Sequence, residues 1–305
     1  GIVGGLLSGT IDQGQSQGGN VTANKGGAGG VAGINRGKIT GNSGHDSAVI
    51  TGELYAGGVA AVNYGTISEG HSGKPGTSTT ITDLAGVGNG YIGGIAGINY
   101  KGAEIEHTKV FDSSIIAASV NTKTGGVAGL NEGTVTGSGE SGQVYNVKIG
   151  FTKQDISYYG YMGGVAGINT GTIEGYKIGD GDSVVITGSA NNPEKPPVYD
   201  RNYEYETSGA VVYGYGGIAG LNGRDNGESS ASIKNCRIGN LDISVIGDSY
   251  NIANIGGIAG VNGKGAKISN ISFGINFNRT VSIKTTGSNA YAHMGGAAGY
   301  NYGDI

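Results

Sequence analysis

Proline, leucine, charge and cysteine are all scarce in this chain of 305 residues, and each scarcity excludes something. Only 4 prolines accompany 66 glycines, and no Gly-X-Y period is present, so a collagen-like triple helix is excluded. The 7 leucines stand against 32 isoleucines and 22 valines, and β-branched residues favour strands over helices. Charged residues make up 14% of the chain, whereas disorder by composition requires high charge and few β-branched residues. We therefore expect a folded, all-β protein.

The charges and apolar residues lack the groupings that two large classes of partner require. The net charge is −4 and the basic residues are scattered singly, so no basic stripe exists to neutralise phosphates and nucleic acid is not an expected partner. No apolar run approaches the roughly 20 residues that span a bilayer, so direct membrane insertion is not expected. The single cysteine, Cys236, excludes an internal disulfide. It is expected to be a small buried packing residue.

One pattern, G-G-[IV]-A-G-[ILV]-N-x-G-x-[IV], recurs along the whole chain, and residues 163–173 are a complete example. Repetition at a fixed pattern with variable spacing is typical of solenoids. The first copy departs from the pattern, with Leu7 where asparagine is expected. The nine copies begin at Gly1, Gly29, Gly57, Gly93, Gly125, Gly163, Gly216, Gly256 and Gly295.

Each position of the pattern has a physical interpretation. The glycine pair reaches backbone angles that other residues adopt only with strain, which predicts a corner between strands. Ala166 and Ile168 share one face of an extended strand, so we expect both in a narrow interior. Whether Val165 also points inward depends on a bend that the pattern leaves open. Asn169 followed by Gly171 predicts a second corner, because asparagine tolerates left-handed backbone and bonds its own main chain.

Eight of the nine copies keep this asparagine, which predicts a structural corner ladder. Amides stacked in register can hydrogen-bond along the stack, as in cross-β assemblies. The ladder residues are Asn35, Asn63, Asn99, Asn131, Asn169, Asn222, Asn262 and Asn301. Residues 1–305 are thus predicted to form a single β-solenoid array of about nine coils, spanning roughly 40 Å. Residues 47–51 and 183–187 indicate a further strand in each coil.

The repeated pattern closely resembles the GLUG repeat, a glycine-rich repeat of large secreted and surface proteins of bacteria. The polar residues Asn235–Cys236 and Ser269–Asn270 resemble the tail of that repeat. The resemblance implies a right-handed parallel β-helix and an extracellular or cell-surface location. GLUG repeats occur in adhesins and beside the peptidase domain of some immunoglobulin A proteases. The resemblance implies no activity, because the repeats accompany the functional domain in those proteins.

No catalytic constellation is visible, so the chain is not expected to be an enzyme. His45, His71, His107 and His293 share no ligand spacing, and the signature motifs of metalloproteases, hydrolases and nucleotide-binding loops are absent. No catalytic residue, metal ligand or cofactor is therefore assigned. Residues 179–182 place two aspartates in a Gly-Asp-Gly-Asp segment, which indicates a solvated turn rather than a calcium site. A polysaccharide-active enzyme remains a remote alternative, since β-helices can present carboxylate pairs.

The longest interval between copies predicts a loop that leaves the sheets. Residues 191–206 hold three of the four prolines, and proline cannot donate to a strand ladder. A protruding loop is therefore predicted for residues 188–213. Its Tyr199, Tyr203 and Tyr205 are candidate ligand-binding residues for a glycan or a host protein; the alternative is that they fold back over the coil. A second tyrosine-rich stretch, 158–161, is expected to enter the core or to cover an edge.

The function expected from these patterns is structural: a stalk, spacer or fibre segment of a bacterial extracellular protein. Both ends of the chain fall on motif boundaries, which indicates an excerpt of a longer array or a unit that stacks end to end with copies of itself. The main alternative is an adhesin that binds glycans or host proteins through inserted loops.

Overall fold

In the computed structural model the chain is a parallel β-solenoid whose coils follow one another along the stack. The structure describes residues 1–41, 43–46, 48–86, 88–138, 141–152, 160–189, 213–224, 227–247, 252–274, 279–286 and 291–305. Every pairing between the strands of this part of the chain is parallel. The predicted all-β fold and the count of about nine coils are confirmed.

Coils are numbered by the copy of the pattern with which they begin; coils one to eight each contribute strands to four sheets, and the described part of coil nine contributes a strand to the first. We number the sheets in the order in which the chain visits them after the glycine pair. Sheet 1 holds the Ala-Gly-aliphatic-Asn segment of the pattern. Its strands are Val3–Leu6, Ala32–Asn35, Ala60–Asn63, Ala96–Asn99, Ala128–Asn131, Ala166–Asn169, Ala219–Asn222, Ala259–Asn262 and Ala298–Asn301. Sheet 2 follows the asparagine corner. Its strands are Thr10–Asp12, Lys38–Thr40, Thr66–Ser68, Glu104–Glu106, Thr134–Thr136, Thr172–Glu174, Ser232–Lys234 and Lys267–Ser269.

Sheet 3 is the widest, because most coils lay down two strands or one long strand there. The first set is Gln15–Gln17, Gly44–Asp46, His71–Ser72, Lys109–Ala117, Gln143–Phe151, Lys177–Ile178, Arg237–Ile238 and Ser272–Phe273. The second set is Val21–Ala23, Val49–Gly52, Thr79–Asp83, Val184–Ser189, Leu241–Ile246 and Val281–Thr286. Sheet 4 leads into the next glycine pair. Its strands are Gly27–Gly29, Tyr55–Gly57, Tyr91–Gly93, Lys123–Gly125, Tyr161–Gly163, Tyr213–Gly216, Ile252–Gly256 and Tyr291–Gly295.

The main core is a column of aliphatic side chains that continues from coil to coil. The third position of the pattern is buried at 0–3% exposure in the seven complete inner copies, and so is the alanine that follows it. The central residue of each sheet 2 strand and the central aliphatics of sheet 3 join the same cluster, as Ile173 and Ile186 do. The strand predicted within 183–187 is confirmed as Val184–Ser189, and the one predicted within 47–51 as Val49–Gly52.

The prediction that Ala166 and Ile168 share one interior was wrong. Ala166 and Val165 both lie in the main core, because the chain bends between sheets 4 and 1 and turns two successive side chains inward. Ile168 instead packs in a second, smaller cluster with Tyr161 and Leu221. The side chain at the sixth position of the pattern thus packs outside the main core, in this small cluster beside sheet 4, which we call the ridge.

The first copy of the pattern is displaced by one residue from its predicted alignment. Val3 pairs with Ala32, and Leu6 pairs with Asn35. Leu6, and not Leu7, therefore occupies the asparagine position. The physical reason is burial, since Leu6 packs against the main core whereas Leu7 is 75% exposed at the turn that follows.

The corners lie where the glycines predict them, but close approach rather than left-handed backbone explains them. Gly163, Gly164, Asn169 and Gly171 all have negative φ. A Cβ on Gly163 would lie 2.0 Å from the Ala166 carbonyl oxygen, and one on Gly171 would lie 2.0 Å from the Gly133 carbonyl oxygen. Both glycines are thus needed for space.

A further corner, directly after sheet 2, is formed by one set of residues with left-handed backbone. They occupy this position in seven coils, with φ between 51° and 70°. They are Gln13, Gly41, Glu69, His107, Gly175, Asn235 and Asn270. Finally, no helix in the described ranges is long and apolar enough to cross a membrane.

Candidate functional site

The asparagine ladder runs through the eight copies in which it was predicted. Each Nδ2 donates a hydrogen bond of 2.8–2.9 Å to the Oδ1 of the asparagine in the next coil, from Asn35 through to Asn301. The seven residues from Asn35 to Asn262 have 0% exposure, and only Asn301 is exposed. The ladder is therefore directional, with every amide donating toward the carboxyl-terminal coil.

The second Nδ2 hydrogen of the ladder asparagines bonds to a main-chain carbonyl at the corner. The Nδ2 of Asn131 also donates to the Thr172 carbonyl of the next coil at 3.1 Å, and Asn35 does the same to Thr66 at 3.1 Å. The Asn35 Oδ1 in turn accepts the Gly37 amide, two residues along the chain, at 3.1 Å. One buried side chain thereby satisfies groups within its own corner and in its neighbour.

The sequence-predicted tyrosine site cannot be placed. Tyr199, Tyr203 and Tyr205 lie outside the described residues, as do Tyr158 and Tyr159. At the margins of the loop predicted for 188–213, however, residues 188, 189 and 213 belong to strands. Tyr161 is 5% exposed and packs in the ridge cluster, as expected for the stretch before the glycine pair.

Two other residues from the sequence analysis have defined surroundings. Cys236 is 1% exposed in the main core, its Sγ lies 3.2 Å from the Lys234 carbonyl oxygen, and burial raises the pKa of its thiol to about 11. The prediction of a buried packing residue is confirmed. Asp180 forms ion pairs with Lys177, at 3.5 Å, and with Arg279. Burial opposes ionisation of Asp180, but these cations hold its pKa below the usual value.

An aromatic ladder stands on the outer side of the asparagine corner. The rings of Tyr64 and Tyr100 stack at 4.4 Å with 4° between their planes, and the Arg36 guanidinium lies 4.2 Å from the Tyr64 ring centroid. Burial, and then hydrogen bonding to Tyr64, raise the pKa of Tyr100 to about 12. Because the ring faces are occupied by one another and by the guanidinium, no face remains open for a sugar to stack on Tyr64.

A groove of about 450 Å³ opens at the left-handed corner between sheets 2 and 3. We call it the lateral groove, and it was not found from the sequence. It is lined by Glu69, Gly70, His71, His107, Lys109, Phe111, Ser141 and Tyr145. Glu69 and His107 are the left-handed residues of coils three and four, at φ 59° and 54°. Their varied residue types concealed the corner.

The groove exists because one coil is longer at this corner. In coil four two residues, 107 and 108, separate the strands of sheets 2 and 3, whereas in coil five six residues, 137–142, do so. Ser138 and Ser141 close the longer corner by reciprocal main-chain hydrogen bonds of 3.1 and 2.9 Å. Ser138 and Ser141 form a wall of the groove beside His107, whose Nε2 lies 2.9 Å from the Ser138 Oγ.

The floor of the lateral groove is a stack of rings. His71 and Phe111 have centroids 6.4 Å apart, and Phe111 and Tyr145 stack at 5.3 Å with 5° between planes. The His71 Nε2 contacts the Asp46 Oδ1 at 3.2 Å, and its Nδ1 is buried without a hydrogen-bond partner. Burial, and then the negative charges of Asp112 and Asp182, raise the pKa of Tyr145.

The described residues of the groove do not include a pair of carboxylates. Glycoside hydrolysis uses two carboxyl groups that flank the scissile bond, and Glu69 is the one carboxylate among the described residues of the lining. Among the described ranges, no cluster of three or more His, Cys, Asp or Glu residues could hold a metal ion.

Comparison with known proteins adds no relative. No family model, no curated protein and no solved structure matches this chain.

Proposed function

We propose that the chain is a structural β-solenoid segment, serving as a stalk, spacer or fibre in a bacterial protein of the GLUG type outside the cell. The observation that carries the proposal is the unbroken asparagine ladder, with seven consecutive amide hydrogen bonds of which the first six are buried. A chain of this kind holds its ends at a fixed separation, because each coil is locked to the next by side-chain and main-chain bonds. Such rigidity suits a spacer.

A surface-display experiment tests the spacer role. The chain is placed between a membrane anchor and a fluorescent domain on bacterial cells, and energy transfer to a membrane dye reports the height of that domain. We expect a single height, about 40 Å above that of the anchor alone. A Gly/Ser linker of equal length is the control and should give a broad distribution. A distribution as broad as that of the linker would count against the spacer.

End-to-end association is proposed as a second property of the same segment. Parallel solenoid coils that are not covered present unpaired main-chain groups, which can pair with another copy. Sedimentation velocity over a hundredfold range of concentration should then show a rising weight-average mass. A constant monomer mass would exclude the association and leave the spacer proposal standing.

Ligand binding, as in an adhesin, is the second candidate function, and the lateral groove is the observation that favours it. A groove of this volume lies within the range of small-ligand sites. The loop tyrosines of the sequence analysis supply a separate test, in which residues 191–206 are deleted and glycan and host-protein binding is measured. Unchanged binding would exclude Tyr199, Tyr203 and Tyr205 and direct attention to the groove.

A further inference from the structure

We propose that the lateral groove binds a saccharide of one or two units that carries a carboxylate. The inference deepens the adhesin alternative, on which it rests, and is independent of the spacer role. Four features of the groove support this proposal: the way it is formed, the rings of its floor, its charged residues and the fixed conformation of its corner residues.

The origin of the groove sets it apart from the regular surface of the solenoid. Along the described strands, successive coils stack in register, as the strands of sheets 2 and 3 do on either side of this corner. Ser138 and Ser141, in the longer corner of coil five, form a wall beside the shorter corners of coils three and four. A concave surface of about 450 Å³ results, which is large enough for one or two sugar rings.

The floor provides an apolar surface with a polar margin. The stacked rings of Phe111 and Tyr145 lie side by side across coils four and five. Phe111 retains 8% exposure and Tyr145 is half-buried, and both residues belong to the lining. Because Phe111 stacks between His71 and Tyr145, its edge rather than its faces can contact the C–H groups of a sugar.

Lys109 supplies a cation in the groove for the carboxylate of an acidic sugar. Within the described ranges Lys109 has no ion-pair partner within 4.0 Å, although it shares the groove with Glu69. A lysine ammonium in a partly enclosed site attracts a carboxylate strongly. Glu69 accepts hydrogen bonds from sugar hydroxyls and repels a carboxylate, so it fixes the orientation of the ligand with its acid group at the Lys109 end.

The corner residues are held in place before any ligand arrives. The left-handed backbone at Glu69 and His107 is supported by main-chain bonds from their amides to Glu106 and Thr136, of 2.9 and 2.8 Å. The His107 ring is further fixed by the Ser138 hydroxyl. Pre-organised side chains lose little entropy on binding, which raises the affinity that a small contact area can reach.

The test compares acidic and neutral probes that differ in little else. The full chain is titrated calorimetrically with tetragalacturonate and with its neutral counterpart galactotetraose, and likewise with a hyaluronan tetrasaccharide and with sialyllactose beside lactose. We expect at least one acidic probe to bind, its neutral counterpart to bind roughly tenfold more weakly or not at all, and the affinity to fall with added salt.

Variants assign the binding to the groove. Lys109→Gln removes the cation and should weaken acidic-probe binding roughly tenfold or more. His107→Asn removes the imidazole while asparagine tolerates the left-handed backbone, and should weaken it several-fold. Lys148→Gln is the matched control, because Lys148 is exposed on the same sheet 3 strand as Tyr145 but lies outside the lining. Thermal unfolding of each variant verifies that the fold is retained.

Three outcomes would overturn the proposal. Equal binding of acidic and neutral probes would remove the charge argument. Acidic-probe binding that survives Lys109→Gln would place the ligand on another face, so the adhesin alternative would stand and the groove assignment would fail. The absence of binding to every glycan and host protein tested would overturn both.

Discussion

At the scale of single residues, one amide per coil connects the architecture along its axis. Asn131 accepts the Nδ2 of Asn99, donates to the Oδ1 of Asn169 and donates also to the Thr172 carbonyl. No smaller or apolar side chain can make these three bonds. A buried donor or acceptor that loses its partner costs about 1–3 kcal/mol, so the ladder contributes to stability mainly through the cost of interrupting it.

Asn131→Ala should therefore be among the most destabilising of the single truncations of a polar side chain. It deprives Asn99 and Asn169 of a buried partner, and we expect the free energy of unfolding to fall by about 2–4 kcal/mol in urea denaturation. Asn301→Ala is the control, because Asn301 terminates the ladder and is exposed. It should cost about 1 kcal/mol or less. Equal losses for the two variants would contradict the account.

His45 makes the first coils sensitive to acid. The side chain has 0% exposure and packs against the corner glycine Gly30, and neither ring nitrogen has a hydrogen-bond partner in the described part of the chain. Burial lowers the pKa of His45 from its usual 6.5, the positive amino terminus of the chain lowers it further, and the Asp46 carboxylate opposes both. The folded state thus binds this proton less readily than the unfolded chain does.

The sign of the resulting pH dependence follows from linkage. Below about pH 6.5 the unfolded chain takes up the proton and the folded chain does not, so stability is fully present above that pH and is lost as the pH falls toward the folded pKa. His45→Leu should flatten the slope of unfolding free energy between pH 7.5 and 5. The slope, rather than the absolute stability, is the readout, and an unchanged slope would exclude His45 as the cause.

At the scale of elements, the glycines are the strictest requirement. The fifth position of the pattern packs directly on sheet 4, and a Cβ on Gly167 would lie 2.6 Å from the Thr124 amide nitrogen and 2.7 Å from the Gly129 carbonyl oxygen. Ala61, which holds this position in the third copy, shows how the rule can be relaxed. The residue that it faces is Gly27, and a Cβ on Gly27 would lie 2.7 Å from the Cβ of Ala61.

Gly167→Ala should destabilise the chain by roughly 3 kcal/mol, because main-chain atoms on both sides must move. Gly4→Ala tests the same position in the first coil, where a Cβ would meet no atom within 4 Å. This control should be neutral or slightly stabilising, because alanine restricts the unfolded chain. The stabilities of the two variants are compared by thermal unfolding. Similar losses of stability for both would mean that close packing is not the reason for glycine at the fifth position.

Much of the arrangement of strands and corners was predictable from the sequence, and each feature that was missed has an identifiable physical cause. The asparagine ladder and the strand positions follow from periodic residue types. The separate ridge around Ile168 did not follow, because alternation places Ala166 and Ile168 on one face of a straight strand, whereas the structure packs them in different clusters. The lateral groove was missed because left-handed residues such as Glu69 and His107 share a backbone conformation and no residue type.

At the scale of the whole molecule, copies of the pattern that are separated by different numbers of residues still lie one coil apart in the stack. Copies that begin 28 to 53 residues apart in the chain pair in register with the next coil, as Asn35 with Asn63 and Asn169 with Asn222 do. Ser138 and Ser141, for example, leave the common frame at a corner and do not lengthen the stack. The wall of the lateral groove is such an excursion, so the spacer and binding proposals draw on different parts of each coil.

The register of the whole stack is tested most directly by distances between spin labels on sheet 2. Lys38→Cys is combined in turn with Thr172→Cys and with Lys267→Cys, which lie four and six strands along the sheet. The native Cys236 is 1% exposed and its thiol has a pKa raised to about 11, so it should remain unlabelled, and the unsubstituted chain verifies this.

Pulsed dipolar measurements on these pairs should give narrow distributions. With a rise of about 4.8 Å per coil, the backbone separations are roughly 19 Å and 29 Å. The account predicts that the two measured distances differ by about two coil steps, as their strand positions require. Broad distributions, or distances that follow the number of intervening residues instead of the number of coils, would contradict the parallel in-register solenoid.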